Sequence, residues 1–364
     1  MLSVEIKPDW FLRDARGNAT ALPALLSLLA AVSETGSISK AAVQGRMSYR
    51  HAWGLLQQFS EQFGAELVHK VRGQGTVLTP LAEKLMWADR RINARLSPLL
   101  DSLASELQQE LVRVLAADAQ GVRLTASHGF AVAALVAQLR NEGVTVDINY
   151  RSSTEAVAAL ARGECDLAGF HLPVGRFEEA AAASYRPWLN EERHAFLHLA
   201  YRELGLFVAR GNPKGVTGLA DLARRDLRFV NRQQGSGTRV LLELLLAEQG
   251  IDPAAIVGHD SAEFTHAAVA AYVASGMADI SFGVETAARR FGLEFIPVCR
   301  ERYFLACDRA ALDQPLLAAV AAAMTHDRFR AALADLPGYD GALAGSRADL
   351  ATLFLAGQTL SGQT

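Results

Sequence analysis

Two hydrophobic rhythms divide the chain. Up to about residue 115 the apolar positions recur every three or four residues, the period of a helix. Leu22, Leu25, Leu26, Leu28, Leu29 and Val32 share one broad face, and Gly36 ends that helix. Ser37 or Ser39 caps a second helix, KAAVQGR. Ser48 caps a third, YRHAWGLLQQFSEQF, which Gly64 stops. ELVHKV and TVLT then alternate as two strands around the turn RGQG. Pro80 opens a long helix over 81–115, with Pro98 placed to kink or break it. Leu85, Ile92, Leu96, Leu99, Leu103, Leu107 and Leu111 run along it as one stripe, which predicts pairing with a second copy.

From residue 121 the rhythm changes to strand–helix alternation. VRLTAS, VTVDINY, DLAGFHL, HAFLHLAY, LGLFVAR, LRFVN, ADISFGV and LEFIPVCRERYFLAC read as strands. FAVAALVAQLR, STEAVAALARG, TRVLLELLLAEQG, FTHAAVAAYVASG and PLLAAVAAAMTHDRFRAALADL read as helices. The pattern predicts an α/β domain with mainly parallel strands. Residues 346–364 read as a weakly ordered tail.

Composition narrows the class. The chain has 364 residues, half of them hydrophobic and 21% charged, enough for two or three units with buried cores. Cys165, Cys299 and Cys307 are scattered with no C-x-x-C pair, which excludes a disulfide scaffold and a zinc ribbon. No stretch approaches the ~20 apolar residues that span a bilayer. The N-terminus, MLSVEIKPDWFL, carries Glu5 and Asp9 and is no signal peptide, so the expected location is cytoplasmic, with no membrane partner. Net charge is −3, but it is unevenly spread. Between Ser37 and Arg95 there are nine Lys/Arg against four Asp/Glu; from Ala116 onward, 23 against 28. A basic head precedes an acidic body.

Helix, turn, helix and hairpin is the order of a winged helix-turn-helix, whose third helix enters the major groove of duplex DNA. Ser48, Tyr49, Arg50 and His51 stand at the start of that helix, where side chains reach base edges and phosphates. Ser37, Ser39, Lys40 and Arg46 flank it, and Lys70, Arg72 and Gln74 lie in the wing. Trp53 is expected in the core with Leu55, Leu56 and Phe59. The string ETGSISKAAVQGRMSYRHAWGLLQQF, followed by the wing and LTPLAEKL, resembles the DNA-binding domain of ModE-type molybdate-responsive regulators and, more distantly, LysR-type regulators.

The strings AYRELGLFVARGNP at 200–213 and NRQQGSGTR at 231–239 resemble the periplasmic-binding-protein-like effector domain of LysR regulators and of molybdate- and tungstate-binding proteins. The small β-barrel with which ModE itself binds molybdate is not the resemblance here. The implied fold is multidomain. A winged helix-turn-helix with its dimerisation helix covers 1–115. A two-lobed α/β domain covers 121–345, lobe one being 121–203 with 302–345 and lobe two 204–301. HAFLHLAY and YFLAC would form the hinge.

Candidate chemistry sits at strand-to-helix turns: Ser127-His128-Gly129, Ser152-Ser153-Thr154 and Gly235-Ser236-Gly237-Thr238-Arg239. Each offers hydroxyls and free N–H groups at a helix N-terminus, where the dipole favours anions. GSGTR lacks the Lys-Ser/Thr of a P-loop and the third glycine of a dinucleotide fingerprint. Arg239 either pairs with an oxyanion or salt-bridges to a lobe surface. Thr265 and Tyr303 are secondary candidates. His194 and His198 lack a nearby third ligand, so no metal site is expected.

The expectation is a ligand-responsive transcriptional regulator, not an enzyme: no acid, base or nucleophile converges on the turns. Its partners are an operator in double-stranded DNA, a second copy or a tetramer of such dimers, and a small-anion effector, with no cofactor. The resemblance makes molybdate or tungstate the first effector and formate the alternative. A solute-binding protein of a transport system is the rival class.

Overall fold

The computed structural model describes residues 4–13, 16–73, 75–115, 121–350 and 354. The chain forms two compact units, residues 7–94 and residues 95–364 with 1–6. The division falls inside the long helix, well before the expected boundary at 115.

The first unit starts with a short hairpin, β1 (Phe11–Arg13) and β2 (Ala19–Ala21), which the hydrophobic pattern did not reveal. Helix α1 (Pro23–Thr35) has proline in its first turn and ends on Gly36 in the left-handed region. Ser37 caps α2 (Ile38–Gln44), accepting from Lys40 N at 3.4 Å. Ser39 is an exposed residue within that helix. Ser48 caps α3 (Tyr49–Phe63), accepting from His51 N at 3.1 Å. Leu25, Leu29, Val32, Ala41, Ala52, Leu56 and Phe59 bury the shared face of the three helices. The wing, β3 (Val68–Val71) and β4 (Gly75–Leu78), docks on α1 through Thr76 N donating to Gly36 O at 2.8 Å. Gly75, at φ +82°, sits where any Cβ would collide with that carbonyl.

Helix α4 (Pro80–Leu115) continues through Pro98, so the chain does not break there. Its expected stripe is exposed at Leu99 (58%), Leu103, Leu107 and Leu111.

In the second unit the strands are β5 (Val122–Ala126), β6 (Val146–Tyr150), β7 (Leu167–Pro173), β8 (His194–Val208), β9 (Phe229–Arg232), β10 (Ala262–Glu263), β11 (Ile280–Val284) and β12 (Glu294–Asp308). The sheet order is β10-β9-β11-β8-β12-β7-β5-β6. β13 (Tyr339–Asp340) and β14 (Arg347–Ala348) also pair with β8. Helices α5 (Phe130–Asn141), α6 (Ser153–Ala161), α7 (Glu178–Ala183), α8 (Gly237–Glu248), α9 (His266–Ala274), α10 (Glu285–Arg290), α11 (Pro315–Thr325) and α12 (Asp327–Ala334) complete the unit.

Three expectations change here. The sheet is mixed: β5 pairs parallel with β6 and β7, and β9 with β10 and β11, but β8 and β12 are antiparallel to their neighbours. HAFLHLAY and LGLFVAR are one strand, β8, because the polar pair Arg202-Glu203 between them lies within the ladder. Within the expected tail, Arg347–Ala348 forms β14, and Leu350 and Phe354 are buried against Phe170 and Phe196. Two sets of apolar cores flank the middle of β8 and β12. One side holds Leu124, Leu135, Phe170, Phe196 and Phe304; the other holds Phe207, Phe229, Leu242 and Phe282. Bulges lie between Pro297 and Cys299 and between Tyr303 and Phe304.

Candidate anion site and nucleic-acid interface

Four helices of the second unit begin around one place, where turns from both lobes meet. Ser152 caps α6 in a capping box with Glu155. Ser236 caps α8, accepting from Arg239 N at 3.2 Å, and Thr265 caps α9, accepting from Ala268 N at 2.9 Å. Gly129 precedes α5 without a side-chain cap. The lobe-two turn lies directly on lobe one. A Cβ on Gly235 would stand 3.6 Å from Ser152 Oγ, and one on Gly237 would stand 3.3 Å from His171 Cβ.

His171, on β7, joins the pieces. Its Nδ1 lies 3.1 Å from Ser153 Oγ, and its ring packs on Tyr303 with centroids 3.8 Å apart. Tyr303 OH is 3.3 Å from Ser127 Oγ. Thr238 Oγ1 is 3.5 Å from His266 Nε2. Thr154, half-buried, sits in the first turn of α6, and His128 packs edge-on against Tyr150 with centroids 4.8 Å apart.

Of the two roles open to Arg239, the structure shows a salt bridge within lobe two. Its Nε bonds Glu243 Oε1 at 2.9 Å, its Nη1 donates to Arg232 O at 3.3 Å, and its Nη2 lies 3.4 Å from His259 Nδ1. One helical turn places Glu243 beside it, and each of the three guanidinium nitrogens contacts a lobe-two group.

The charge at the site comes instead from residues the pattern did not single out. Arg232 ends β9 and is 3% exposed. Its Nη2 donates to Phe264 O at 2.7 Å, while Nε and Nη1 have no hydrogen-bond partner among the described residues. Arg202 on β8 lies over the Tyr303 ring at 5.7 Å and beside Gly129, and pairs with Glu301 on β12. Burial, and next the charge of Arg202, push the Arg232 guanidinium down to about 9, so it is still a cation at neutral pH. Burial and the two arginines hold His171 and His266 well below the usual imidazole range, and both are neutral. An unpaired buried donor costs about 1–3 kcal/mol, more for a charged group. A cation left so, at convergent helix N-termini, matches a small anion. One signal was available: an arginine closing a strand at its C-terminal end, where α/β sheets hold their ligands.

In the first unit, Lys40, Arg46, Ser48, Tyr49, Arg50 and His51 are all exposed, as are Lys70 and Arg72 in the wing. Ser37 is half-buried as the α2 cap. Arg46 takes φ +52°, turning the chain between α2 and α3. Gln74 lies outside the described residues. Trp53 is not in the core. It is 41% exposed, one turn beyond Tyr49 on α3, because Ala52, Leu56 and Phe59 supply the buried face.

No helix among the described residues is long and apolar enough to cross a membrane. Among those residues no group of three or more His, Cys, Asp or Glu side chains is arranged to hold a metal ion. His194 and His198 lie on β8, the second packed on Phe304.

Comparison with known proteins places these units. The family model for a PBP superfamily domain matches residues 133–325, and that for a bacterial regulatory helix-turn-helix protein of the lysR family matches 23–83. YvgK, an uncharacterized protein of Bacillus subtilis (strain 168), is 34% identical over 196 residues, 54% of this chain and 63% of that protein. The molybdenum-pterin-binding protein MopB of Rhodobacter capsulatus is 32% identical over 152 residues, 39% of this chain and 55% of that protein. The chain thus spans less than two thirds of these two curated relatives. The structure of a Corynebacterium glutamicum OxyR C206 mutant aligns at TM-score 0.41 and 16% identity, covering 85% of this chain and 94% of that one. The chain belongs to the PBP superfamily through its second unit, and joins to it a helix-turn-helix of the LysR-family bacterial regulatory type.

Proposed function

We propose that the chain is a transcriptional regulator whose winged helix reads operator DNA and whose two-lobed domain senses a small oxyanion, molybdate or tungstate first. The observation that carries the effector reading is Arg232, a buried cation with two unpartnered donors among the N-termini of α5, α6, α8 and α9. A tetrahedral dianion accepts from such donors without needing a large apolar pocket. The molybdenum in the name of the Rhodobacter relative agrees with this order of effectors. Formate is the second reading; Arg239, on which it leaned, is engaged elsewhere.

For DNA, the support is the exposed cluster Lys40, Arg46, Tyr49 and Arg50 with Lys70 and Arg72 on the wing. The dimer reading rests on the exposed leucines of α4, and two such dimers would make a tetramer.

A thermal-shift panel on the full chain tests the effector: molybdate, tungstate, sulfate, phosphate, formate and small dicarboxylates. Molybdate or tungstate at about 100 times Kd should add about 2.7 kcal/mol of stability, and Arg232→Gln should abolish the response. A response to formate alone moves the reading to a carboxylate, and silence to every anion overturns it. Footprinting on the gene's own upstream region tests the DNA partner; no protected palindrome at moderate salt would sink it.

A further inference from the structure

The middle of α4 is tied to both lobes of the α/β domain. Toward lobe one, Ser105 Oγ accepts from Ile148 N at 2.8 Å and Ser102 Oγ accepts from Tyr150 N at 3.1 Å. Asp101 Oδ2 stands 3.7 Å from His128 Nε2, in the turn before α5. Toward lobe two, Arg95 Nε meets Glu263 Oε2 at 3.1 Å. Glu263 is buried on β10, two residues before the Thr265 cap of α9.

These anchors lie beside the turns of the anion site. His128 is in one, Tyr150 is two residues before the Ser152 cap, and Glu263 leads into Thr265. From residue 95 to residue 105 the helix covers about 15 Å. A helix of that length is stiff, while the lobes have separate cores and are joined by β8 and β12, with two bulges in their pairing. If the lobes part, the rod cannot keep all its anchors. The serines bond backbone donors of β6, but Arg95 is 55% exposed and screened by solvent, so its contact is the weaker one. The lobe-two end is the one that lets go.

We propose that residues 95–105 of α4 form a clasp between the lobes, holding them together and shifting when the anion site fills or empties. The trigger rests on the anion reading above; the clasp itself does not, and the two are tested separately.

Hydrogen exchange on the full, anion-free chain decides the clasp. Arg95→Ala removes the ion pair to lobe two, and Ser102→Ala with Ser105→Ala removes the hydrogen bonds to lobe one. Both should raise exchange about threefold or more in 235–239, the lobe-two turn that neither variant contacts. Changes confined to 262–266 in the first and 146–150 in the second would overturn the clasp. The charge swap Arg95→Glu with Glu263→Arg should return 235–239 to the native rate, which controls for loss of folding; failure to restore it counts against the clasp. Saturating sodium molybdate should slow exchange over 95–105 in the native chain. If molybdate leaves the native chain unchanged there while both variants show the remote effect, the anion reading is in error and the clasp stands.

Discussion

Arg202 and Glu301 are register partners on β8 and β12, paired through their side chains and exposed by only 2% and 1%. They lie between the two sets of cores, where burial penalises either charge without its partner. Burial raises the Glu301 carboxyl, and Arg202 opposes that rise. Glu301→Gln should therefore destabilise the chain by about 3–5 kcal/mol in urea unfolding, because it strands the guanidinium. Arg202→Met with Glu301→Leu should recover most of the loss. Equal losses in the single and double variants would show that packing, not charge, is at stake.

Arg232 predicts the opposite sign. Arg232→Met removes two unpartnered donors from the interior, so the anion-free protein should gain about 1–3 kcal/mol. The gain should come with loss of every oxyanion response, read by thermal shift. A variant destabilised by more than the lost Nη2–Phe264 O bond, about 1 kcal/mol, would mean that Nε and Nη1 are held by the fold.

Acid should weaken the protein through its buried histidines. His171 and His266 have folded values held down by burial, so the unfolded chain binds more protons just below pH 6.5. Stability is full above that range and falls as pH drops through it, by about 1.4 kcal/mol per pH unit for each histidine. Denaturant midpoints between pH 7.5 and 5.5 measure the slope, and His171→Gln should lower it by one histidine's share. An unchanged slope would mean that His171 is protonated in the fold.

Trp53→Ala should separate binding from folding. Its exposure predicts a stability change within about 0.5 kcal/mol. Operator affinity should nonetheless fall in gel-shift assays, as it should for Arg50→Ala, by about 1–3 kcal/mol if Arg50 reads a base. Unchanged affinity in both would remove α3 from the interface.

Leu103→Glu with Leu107→Glu places charge on the exposed stripe of α4. Light scattering should show a smaller assembly than the native chain at the same concentration. The same mass in both would move self-association to another surface.

The helices of the first unit were legible because their periodicity and caps agree: Ser37, Ser48, Gly36 and Gly64 all sit at helix ends. Trp53 was misplaced because an aromatic on an amphipathic helix reads as core, and only packing shows that Ala52 and Leu56 fill that face. The turns at 127, 152 and 235 are legible as strand-to-helix turns, but Arg239 draws the eye there and Arg232 does not. Local sequence cannot tell which arginine has a carboxylate one turn away in the right rotamer and which is stranded. Arg202 and Glu301 are 99 positions apart, and no one-dimensional pattern pairs them. The two roles of α4 were hidden likewise: its leucines announce an apolar face, while Ser102 and Ser105 look like ordinary surface residues until β6 is beside them.

Ser102 and Ser105 also bear on the protein's solubility. β6 is the outermost strand on one side of the sheet, and its Ile148 and Tyr150 amides would otherwise invite a foreign strand to add on. The hydroxyls of α4 occupy both amides, and the opposite margin, β10, is two residues long. While α4 stays in place the sheet has no long open margin to template fibrils, so a helix that organises the sensor also guards the chain against polymerising through its own backbone.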